Sequence, residues 1–411
     1  MEKFKISTSE QLQDVLQWAL AGGKKLSING GGSKSTVGRP FDADAEIRMT
    51  DFHGTEMHEP AELVMQAKAG SRLTDIVKIL DESGQKLAFS PPDYGPLLGK
   101  DAGISTIGGV FACNLSGSAR IKAGGARDHL LGVKGFTGRG QAFQTGSRVM
   151  KNVTGYDLCK LITGSYGTLA VCTSLTFKVL PKADKTRTVL IYGQEPGEAV
   201  ESLRDAMSSI HEVTAAAYLP KNIAERSDIK FVSDAGEAVT AISIEGSGPS
   251  TEFRCDALRK MFEICGAIEE QHGQRSEQLW AYIGGVGAFV EDQTTNVWRV
   301  SIPPSEAPEF ISKLEALLSG AEYYLDWAGG LIWVSVPASA ELAGSTILRD
   351  NLVAGGHATL IRGTETVRST ILPFQPQNSV LTRISESIRE GFDPTRILNP
   401  GRMYPISDGM K

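Results

Sequence analysis

Residues Ile28 to Ser35 read Ile-Asn-Gly-Gly-Gly-Ser-Lys-Ser, and this stretch decides how the first part of the chain is interpreted. Lys25 to Ile28 can form a short strand, after which three glycines follow in succession. Because glycine has no Cβ, the backbone N–H groups of such a loop can converge on an anion. Ser33, Lys34 and Ser35 add hydroxyl donors and one cation. The loop therefore suits a pyrophosphate, although the same composition is typical of a flexible turn.

The glycine loop matches neither of two common phosphate-binding motifs. The Walker A pattern G-x-x-x-x-G-K-[ST] is absent. No G-x-G-x-x-G opens a helix at this point, so the Rossmann fingerprint is absent as well. The loop alone leaves the function open.

Composition excludes several classes of protein. The chain has 411 residues, which favours two domains, and its net charge of −6 argues against nucleic acid as the main partner. No run reaches the roughly 18 apolar residues of a membrane span, and the charged N-terminus does not resemble a signal peptide. Five cysteines without C-x-x-C spacing argue against zinc, an iron–sulfur cluster or a disulfide framework. We therefore expect a cytoplasmic protein with free thiols and no metal site.

Glycine content and hydrophobic periodicity divide the chain. Glycine is dense from Gly95 to Gly167, which indicates a backbone-lined ligand site, and it thins past Lys182. There, strands alternate with amphipathic helices, as in an α+β domain with an antiparallel sheet. The predicted elements are helices ending at Gly22 and Gly84, a hairpin turning at Gly138-Arg139-Gly140, strands Thr188–Tyr192, Val239–Ile244, Asn296–Ile302 and Gly330–Val336, and helices Glu198–His211 and Ser305–Leu318.

The order of several short motifs is more specific than any one of them. They are the glycine loop, Ala69–Leu80, Pro91-Pro92, Ser105–Asn114, Ser116-Gly117, Arg127–Val133, Thr154–Leu158, Gly164–Leu169 and Leu398–Gly401. As an ordered set they resemble the FAD-binding domain of the vanillyl-alcohol oxidase type, also called the PCMH type. The resemblance covers residues from about 25 to 181 together with the C-terminal tail.

Three segments are similar to a narrower family, the E-type FAD-binding subunits of bacterial glycolate oxidases. They are Asn114–Arg120, Val149–Asp157 and Ile397–Tyr404. The resemblance implies an α+β protein with a PCMH-type, two-subdomain FAD-binding domain over residues 1–181. It further implies an α+β cap domain over residues 182–383, with an antiparallel sheet. A C-terminal segment, residues 384–411, would return to the FAD domain.

The resemblance also assigns roles to individual residues. Those expected to hold the FAD pyrophosphate are Gly30, Gly31, Gly32, Ser33 and Lys34. Those expected to line the dinucleotide are Pro92, Thr106, Gly108, Gly109, Asn114, Ser116 and Gly117. Gly167, Thr168 and Val171 would lie near the adenine side, and Asn399 would approach the flavin from the tail.

The chain departs from the wider family in three places. The glycine loop contains no histidine, so we expect FAD to be bound non-covalently. Tyr166 stands where the family has a glutamate, in Gly-Ser-Tyr-Gly-Thr. Ala123-Gly124-Gly125 stands where the family has Tyr-Gly.

Candidate catalytic residues lie in the second half of the chain. His357 and Arg362 would lie on opposite faces of a regular strand and would not act together without a bulge. Arg362 could hold a carboxylate in a bidentate fork, and His357 could accept a hydroxyl proton. The other residues considered were interpreted as structural or surface residues: His129, Lys151, Asn152, Tyr156, Trp327 and Trp333.

The family resemblance implies a flavoprotein subunit of a glycolate oxidase complex. Glycolate, a small 2-hydroxy acid, would be oxidised to glyoxylate, and electrons would pass through the flavin to a larger flavoprotein subunit and an iron–sulfur subunit. These partners could bring the cytoplasmic chain to the inner membrane. Two alternatives remain open at this point. The chain could be a non-catalytic FAD-binding assembly or electron-relay subunit, or a stand-alone D-2-hydroxyacid dehydrogenase.

Overall fold

The structure, a computed structural model, describes residues 1–148, 155–353 and 355–406. The chain divides into two units. The first unit comprises residues 1–115, 124–182 and the chain from Leu372 onward, and the second comprises residues 116–123 and 183–371. The domain boundaries at residues 181 and 383 stay predictions.

Up to Lys182 the described chain forms short strands and helices. The strands are β1 (Glu2–Lys5), β2 (Leu26–Asn29), β3 (Ala45–Arg48), β4 (Thr55–Glu59), β5 (Val64–Lys68), β6 (Gln85–Lys86), β7 (Leu130–Thr137), β8 (Ala142–Gly146), β9 (Ala170–Lys178) and β10 (Leu180–Pro181). The helices are α1 (Ser9–Gly22), α2 (Leu73–Glu82), α3 (Ile107–Ala112), α4 (Arg120–Ala123), α5 (Ala126–His129) and α6 (Leu158–Ile162).

Longer elements follow. The strands are β11 (Lys185–Tyr192), β12 (Ala215–Leu219), β13 (Val239–Gly246), β14 (Ile268–His272), β15 (Asn296–Ser301), β16 (Glu322–Asp326), β17 (Leu331–Val336) and β18 (His357–Arg362). The helices are α7 (Pro196–Ser208), α8 (Lys221–Ala224), α9 (Lys230–Ser233), α10 (Gly248–Met261), α11 (Gln274–Gly284), α12 (Ala307–Leu317), α13 (Ser345–Asp350), α14 (Glu365–Thr370) and α15 (Ser379–Phe392).

The first unit contains two principal sheets. One is parallel, with strand order β1-β3-β2, and the other is antiparallel, with order β4-β5-β9-β7-β8. Helix α1 buries Leu12 and Leu16 in a cluster that includes Ile47 of β3. The predicted hairpin is confirmed, because β7 pairs with β8 on either side of Gly138-Arg139-Gly140. Strand β2 ends at Asn29, so the glycine loop begins at the edge of the parallel sheet.

The C-terminal tail belongs to the first unit and is hydrogen-bonded to β2. The amide of Leu26 donates to the carbonyl of Ile397 (2.7 Å), and the amide of Asn399 donates back to Leu26 (2.9 Å). The side chain of Asn399 accepts from the amide of Ile28 (2.7 Å) and donates to the carbonyl of Tyr166 (2.8 Å). The tail therefore fixes the strand that leads into the glycine loop.

The second unit is built on one eight-stranded antiparallel sheet, with order β14-β11-β13-β12-β16-β17-β15-β18. Residues of helices α7, α10 and α12 share the hydrophobic core with alternate residues of the strands, among them Trp298 and Val300 of β15. Because strand side chains alternate, Arg299 of β15 and His357 of β18 lie on the opposite face. The predicted α+β class with an antiparallel sheet is confirmed.

The hydrogen bonds of Asn399 generate a prediction about stability. Asn399→Ala leaves the half-buried amide of Ile28 and the carbonyl of Tyr166 without their side-chain partner, so we expect the free energy of unfolding to fall by about 2 kcal/mol. The measurement is the urea midpoint of the purified protein. Asn222→Ala is the matched control, because Asn222 is exposed and its side chain donates to Glu322 at the surface. Equal midpoints for Asn399→Ala and the control would contradict the prediction.

Candidate functional site

A cleft of the first unit opens beside the glycine loop, with a volume of about 740 Å³. Its walls come from the end of β2, from α3, from the turn that precedes β9 and from the tail. The residues predicted to bind FAD that line it are Gly30, Gly31, Gly32, Ser33, Lys34, Thr106, Gly108, Gly109, Gly167 and Val171.

The backbone of the glycine loop packs too closely against its neighbours to accept side chains. A Cβ at Gly31 would lie 1.6 Å from the carbonyl oxygen of Ile104, and one at Gly30 would lie 2.2 Å from Oγ1 of Thr106. Gly32 has a φ of +79°, which a residue with a side chain rarely adopts. The three glycines are thus required by geometry, and the flexible-turn interpretation does not account for them.

The amides of this loop have no acceptor among the described residues, because no N–H of residues 30–34 donates a hydrogen bond to a backbone or side-chain oxygen there. Gly30, Gly31 and Gly32 are half-buried and line the cleft. Consecutive unpaired donors along one wall of a cleft therefore indicate a ligand with several acceptor oxygens.

Lys34 contributes a buried positive charge to the same wall. Its side chain is 7% exposed, and Nζ donates to Oγ of Ser33 and to Oγ of Ser105, both at 2.8 Å. Lys34 forms no ion pair with a carboxylate of the described residues. Burial lowers the pKa of Lys34, because the charged ammonium is withdrawn from water. An anion bound in the cleft would raise the pKa of Lys34 again, because it stabilises the charged ammonium.

Arg402 is a second buried cation, and the sequence analysis did not identify it. Its guanidinium donates to the carbonyl of Lys34 (2.8 Å) and to that of Val37 (3.3 Å), and it lies 5.8 Å from the ring centroid of Tyr166. Burial lowers the pKa of Arg402 too. In the sequence, the one indication of this role is that Arg402 directly follows the motif Asn399-Pro400-Gly401.

These features fit the diphosphate of FAD. The cleft offers the buried ammonium of Lys34, loop amides without an acceptor among the described residues, and a backbone that a ligand can approach closely. Arg402 adds positive charge to this wall, while its guanidinium nitrogens bond to carbonyl groups. The described lining residues include no histidine, and the two cysteines among them are poor nucleophiles. Burial raises the pKa of Cys113, and it raises the pKa of Cys172 to about 12. The lining therefore favours non-covalent binding.

Six predicted cofactor residues do not line this cleft: Pro92, Asn114, Ser116, Gly117, Thr168 and Asn399. Ser116 and Gly117 belong to the second unit. Oδ1 of Asn114 accepts from the amide of Arg127 (3.1 Å), and the hydroxyl of Thr168 donates to the carbonyl of Ser165 (2.7 Å). The side chains of Asn114, Thr168 and Asn399 thus bond to the surrounding backbone, and the contact of these six residues with the cofactor stays a prediction.

The strand that carries His357 and Arg362 contains a bulge. Arg362 pairs with Val297 and Leu360 with Trp298, which leaves Ile361 as the extra residue. The bulge brings the two candidates to the same face, whereas a regular strand would have separated them.

Arg362 is nevertheless a structural residue, which corrects its assignment as a carboxylate clamp. Its buried guanidinium donates to the carbonyls of Phe289 (2.6 Å), Asp292 (2.5 Å) and Thr295 (3.1 Å). These bonds close the loop that precedes β15. The spacing of residues in the sequence could not reveal this cluster of carbonyl groups.

His357 is exposed at the start of β18. Partial desolvation lowers its pKa, and the positive charges of Arg299 and Arg120 lower it further. The imidazole is therefore neutral near pH 7 and able to accept a proton. Lys151 and Asn152 lie outside the described residues.

Comparison with known proteins agrees with the cleft. Residues 4–146 match a family described as "FAD binding domain". The chain is 31% identical to the glycolate oxidase subunit GlcE of Escherichia coli K12 over 396 residues, 96% of this chain and 97% of that protein. It is 23% identical to the glycolate oxidase subunit GlcD of Bacillus subtilis 168, covering 83% of this chain and 75% of that protein.

A solved structure supports the fold. Substrate-bound p-cresol methylhydroxylase matches with a TM-score of 0.70 and 14% identity, over 99% of this chain and 90% of that one. The expected PCMH-type fold is thereby confirmed. In the described ranges, no helix combines the length and apolar character needed to cross a bilayer. The same residues contain no group of three or more His, Cys, Asp or Glu side chains that could hold a metal ion.

The buried charge of Lys34 generates a prediction about cofactor affinity. We expect Lys34→Met to weaken FAD binding at least about tenfold, because a charge-assisted hydrogen bond to phosphate is lost. The cofactor-free variant should melt no lower than the cofactor-free parent, because a buried ammonium without a counter-ion destabilises the fold. Titration of flavin fluorescence and a thermal melt measure the two effects.

Lys100→Met is the control for this variant, because Lys100 is exposed in the same unit. It should bind FAD as the parent does. Parent-like affinity in Lys34→Met would show that the ammonium does not contact the cofactor.

The composition of the lining predicts how the flavin is attached. Acid precipitation of the yellow protein should leave the flavin in the supernatant and a colourless pellet, because the described lining contains no histidine and burial raises the pKa of both of its cysteines. Flavin that stays with the pellet through repeated washing would contradict non-covalent binding.

Proposed function

The chain belongs to the family of the glycolate oxidase subunit GlcE and binds FAD, and on this premise we propose that it serves a glycolate oxidase complex as a flavoprotein subunit. It would oxidise glycolate to glyoxylate. The observation that carries the proposal is the cleft at the glycine loop, whose unpaired amides and two buried cations suit a diphosphate. This cleft occurs in a chain that aligns with GlcE over nearly its whole length.

The reaction requires a proton acceptor and a hydride acceptor. Oxidation of a 2-hydroxy acid removes the hydroxyl proton and transfers the hydrogen on C2 as hydride. FAD, when bound, supplies the two-electron acceptor. His357 is the best proton acceptor among the predicted catalytic residues, because its imidazole is neutral and lies on the polar face of the sheet.

Partner subunits would receive the electrons. The relatives of the chain include two differently named glycolate oxidase subunits, GlcE and GlcD, which supports a complex with a larger flavoprotein. The five cysteines are free thiols, and no group in the described residues could hold a metal ion. An iron–sulfur cluster in the pathway would therefore have to be carried by another subunit.

A second candidate function is electron relay without substrate oxidation by this chain. The correction of Arg362 favours it, because one of the two predicted catalytic residues is occupied in holding a loop. In that case glycolate would be oxidised by the partner flavoprotein. A colourless purified chain would instead support an assembly role.

The two candidates differ in what glycolate does to the isolated chain. Under anaerobic conditions we expect glycolate to bleach the flavin of the purified protein. His357→Gln should slow the bleaching by about 100-fold or more, because general-base catalysis is lost, with no change in flavin content. His272→Gln is the control, since His272 is exposed on the edge strand of the same sheet.

Bleaching that appears only after the other subunits are added would support the relay function. A substrate panel that includes D-lactate identifies a stand-alone dehydrogenase for another 2-hydroxy acid.

A further inference from the structure

The polar face of the second unit carries an unusual tryptophan directly after β16. Trp327 has a φ of 53°, a conformation that bulky residues rarely adopt. Two contacts hold it there. Its amide donates to the side chain of Asp326 (2.7 Å), and Nε1 donates to the carbonyl of Gly117 (3.1 Å). Strained backbone of this kind is concentrated at functional sites.

Two arginines approach the ring of Trp327. The guanidinium carbon of Arg120 lies 4.8 Å from the ring centroid, and that of Arg299 lies 5.0 Å from it. One residue comes from α4 and the other from the middle of β15, and both charges act on His357. The fold therefore brings two guanidinium groups to one aromatic side chain, in a region where their charges also act on His357.

Arg299 is half-buried, and its guanidinium forms no hydrogen bond or ion pair with any described residue. The charge of Arg299 acts on Asp326, which is 1% exposed and accepts from the hydroxyl of Ser118 (2.8 Å). Burial raises the pKa of Asp326 to about 7, so near neutral pH much of the population is uncharged there. The guanidinium donors of Arg299 remain available to an anion.

We propose that Arg120, Arg299 and His357 form, around Trp327, a binding site for the carboxylate of a small 2-hydroxy or 2-oxo acid. All four residues belong to the second unit. The inference rests on the proposed function for the class of acid, and on the geometry for the residues that bind it.

The chemistry of the cluster suits a carboxylate with an oxygen on the neighbouring carbon. A guanidinium presents two parallel N–H groups that match the two oxygens of a planar carboxylate. The indole ring supplies an apolar wall that limits access of water to the guanidinium groups and strengthens their attraction for an anion. The imidazole of His357 can accept or share the proton of the α-hydroxyl group.

Oxalate is a suitable probe, because it resembles a 2-oxo acid and cannot be oxidised by hydride removal. Calorimetric titration of the flavin-loaded protein should show one site. We expect Arg299→Gln to weaken oxalate binding by at least about tenfold and Arg120→Gln to weaken it similarly, because each removes a charge-assisted contact. Arg299→Lys, which keeps the charge but not the fork, should give an intermediate affinity.

Arg204→Gln is the matched control, because Arg204 is an exposed arginine on α7 of the same unit. It should bind oxalate as the parent does. Flavin content and the thermal midpoint identify any variant that fails to fold. If Arg299→Gln fails to fold, the oxalate affinity of Arg299→Lys is the test.

Two outcomes would overturn the proposal: no oxalate binding to the parent at millimolar concentration, or parent-like affinity in both glutamine variants. Neither of them depends on turnover. If the chain binds oxalate but glycolate does not bleach its flavin, the result supports the carboxylate site and contradicts the proposed oxidation. If glycolate bleaches the flavin but oxalate binding does not depend on Arg120 or Arg299, the result supports the oxidation and contradicts the site.

Discussion

Buried positive charge without a counter-ion is the constraint on which the cofactor cleft depends. Lys34 and Arg402 are 368 positions apart in the chain, yet the guanidinium of Arg402 donates to the carbonyl of Lys34. This bond ties the C-terminal tail to the glycine loop and withdraws both charges from water. Each charge destabilises the empty protein, and a diphosphate would compensate both. The folded chain therefore favours binding of an anionic ligand in this cleft.

Local features of this architecture could be predicted from the sequence. The periodic apolar residues of α1 and the turn at Gly138-Arg139-Gly140 are encoded within a few residues, and the structure confirms both. The start of α1 is less well determined by the sequence, where Ser7 and Thr8 are both suitable caps. In the structure Thr8 caps the helix by accepting from the amide of Gln11. Two adjacent hydroxyl residues offer nearly equal caps, so the pattern alone fixes such a boundary only to within one position.

Long-range contacts could not be predicted in the same way. Asn399 was identified by its motif, but its side chain bonds to the backbone of Ile28 and Tyr166, which no local pattern reveals. The roles of Arg402 and Arg362 depend on carbonyl groups that the fold gathers from distant or looped segments. The same holds for Trp327, which the sequence marked only as a large buried residue. A charged or aromatic side chain in a sequence does not indicate which groups will surround it.

Each of the two units contains positive charge that is partly or fully withdrawn from water. This observation bears on whether the chain itself acts on substrate. An assembly or relay subunit requires only the cleft of the first unit, because binding FAD is then sufficient. The second unit nevertheless holds Arg120 and Arg299 against one indole ring, beside an Asp326 that burial leaves partly uncharged. Like-charge repulsion and the strained backbone at Trp327 oppose folding and offset part of the cation–π attraction between the two guanidinium groups and the ring. An anionic ligand would relieve the repulsion. This second surplus of positive charge therefore favours a chain that binds an acid itself over one that only transmits electrons.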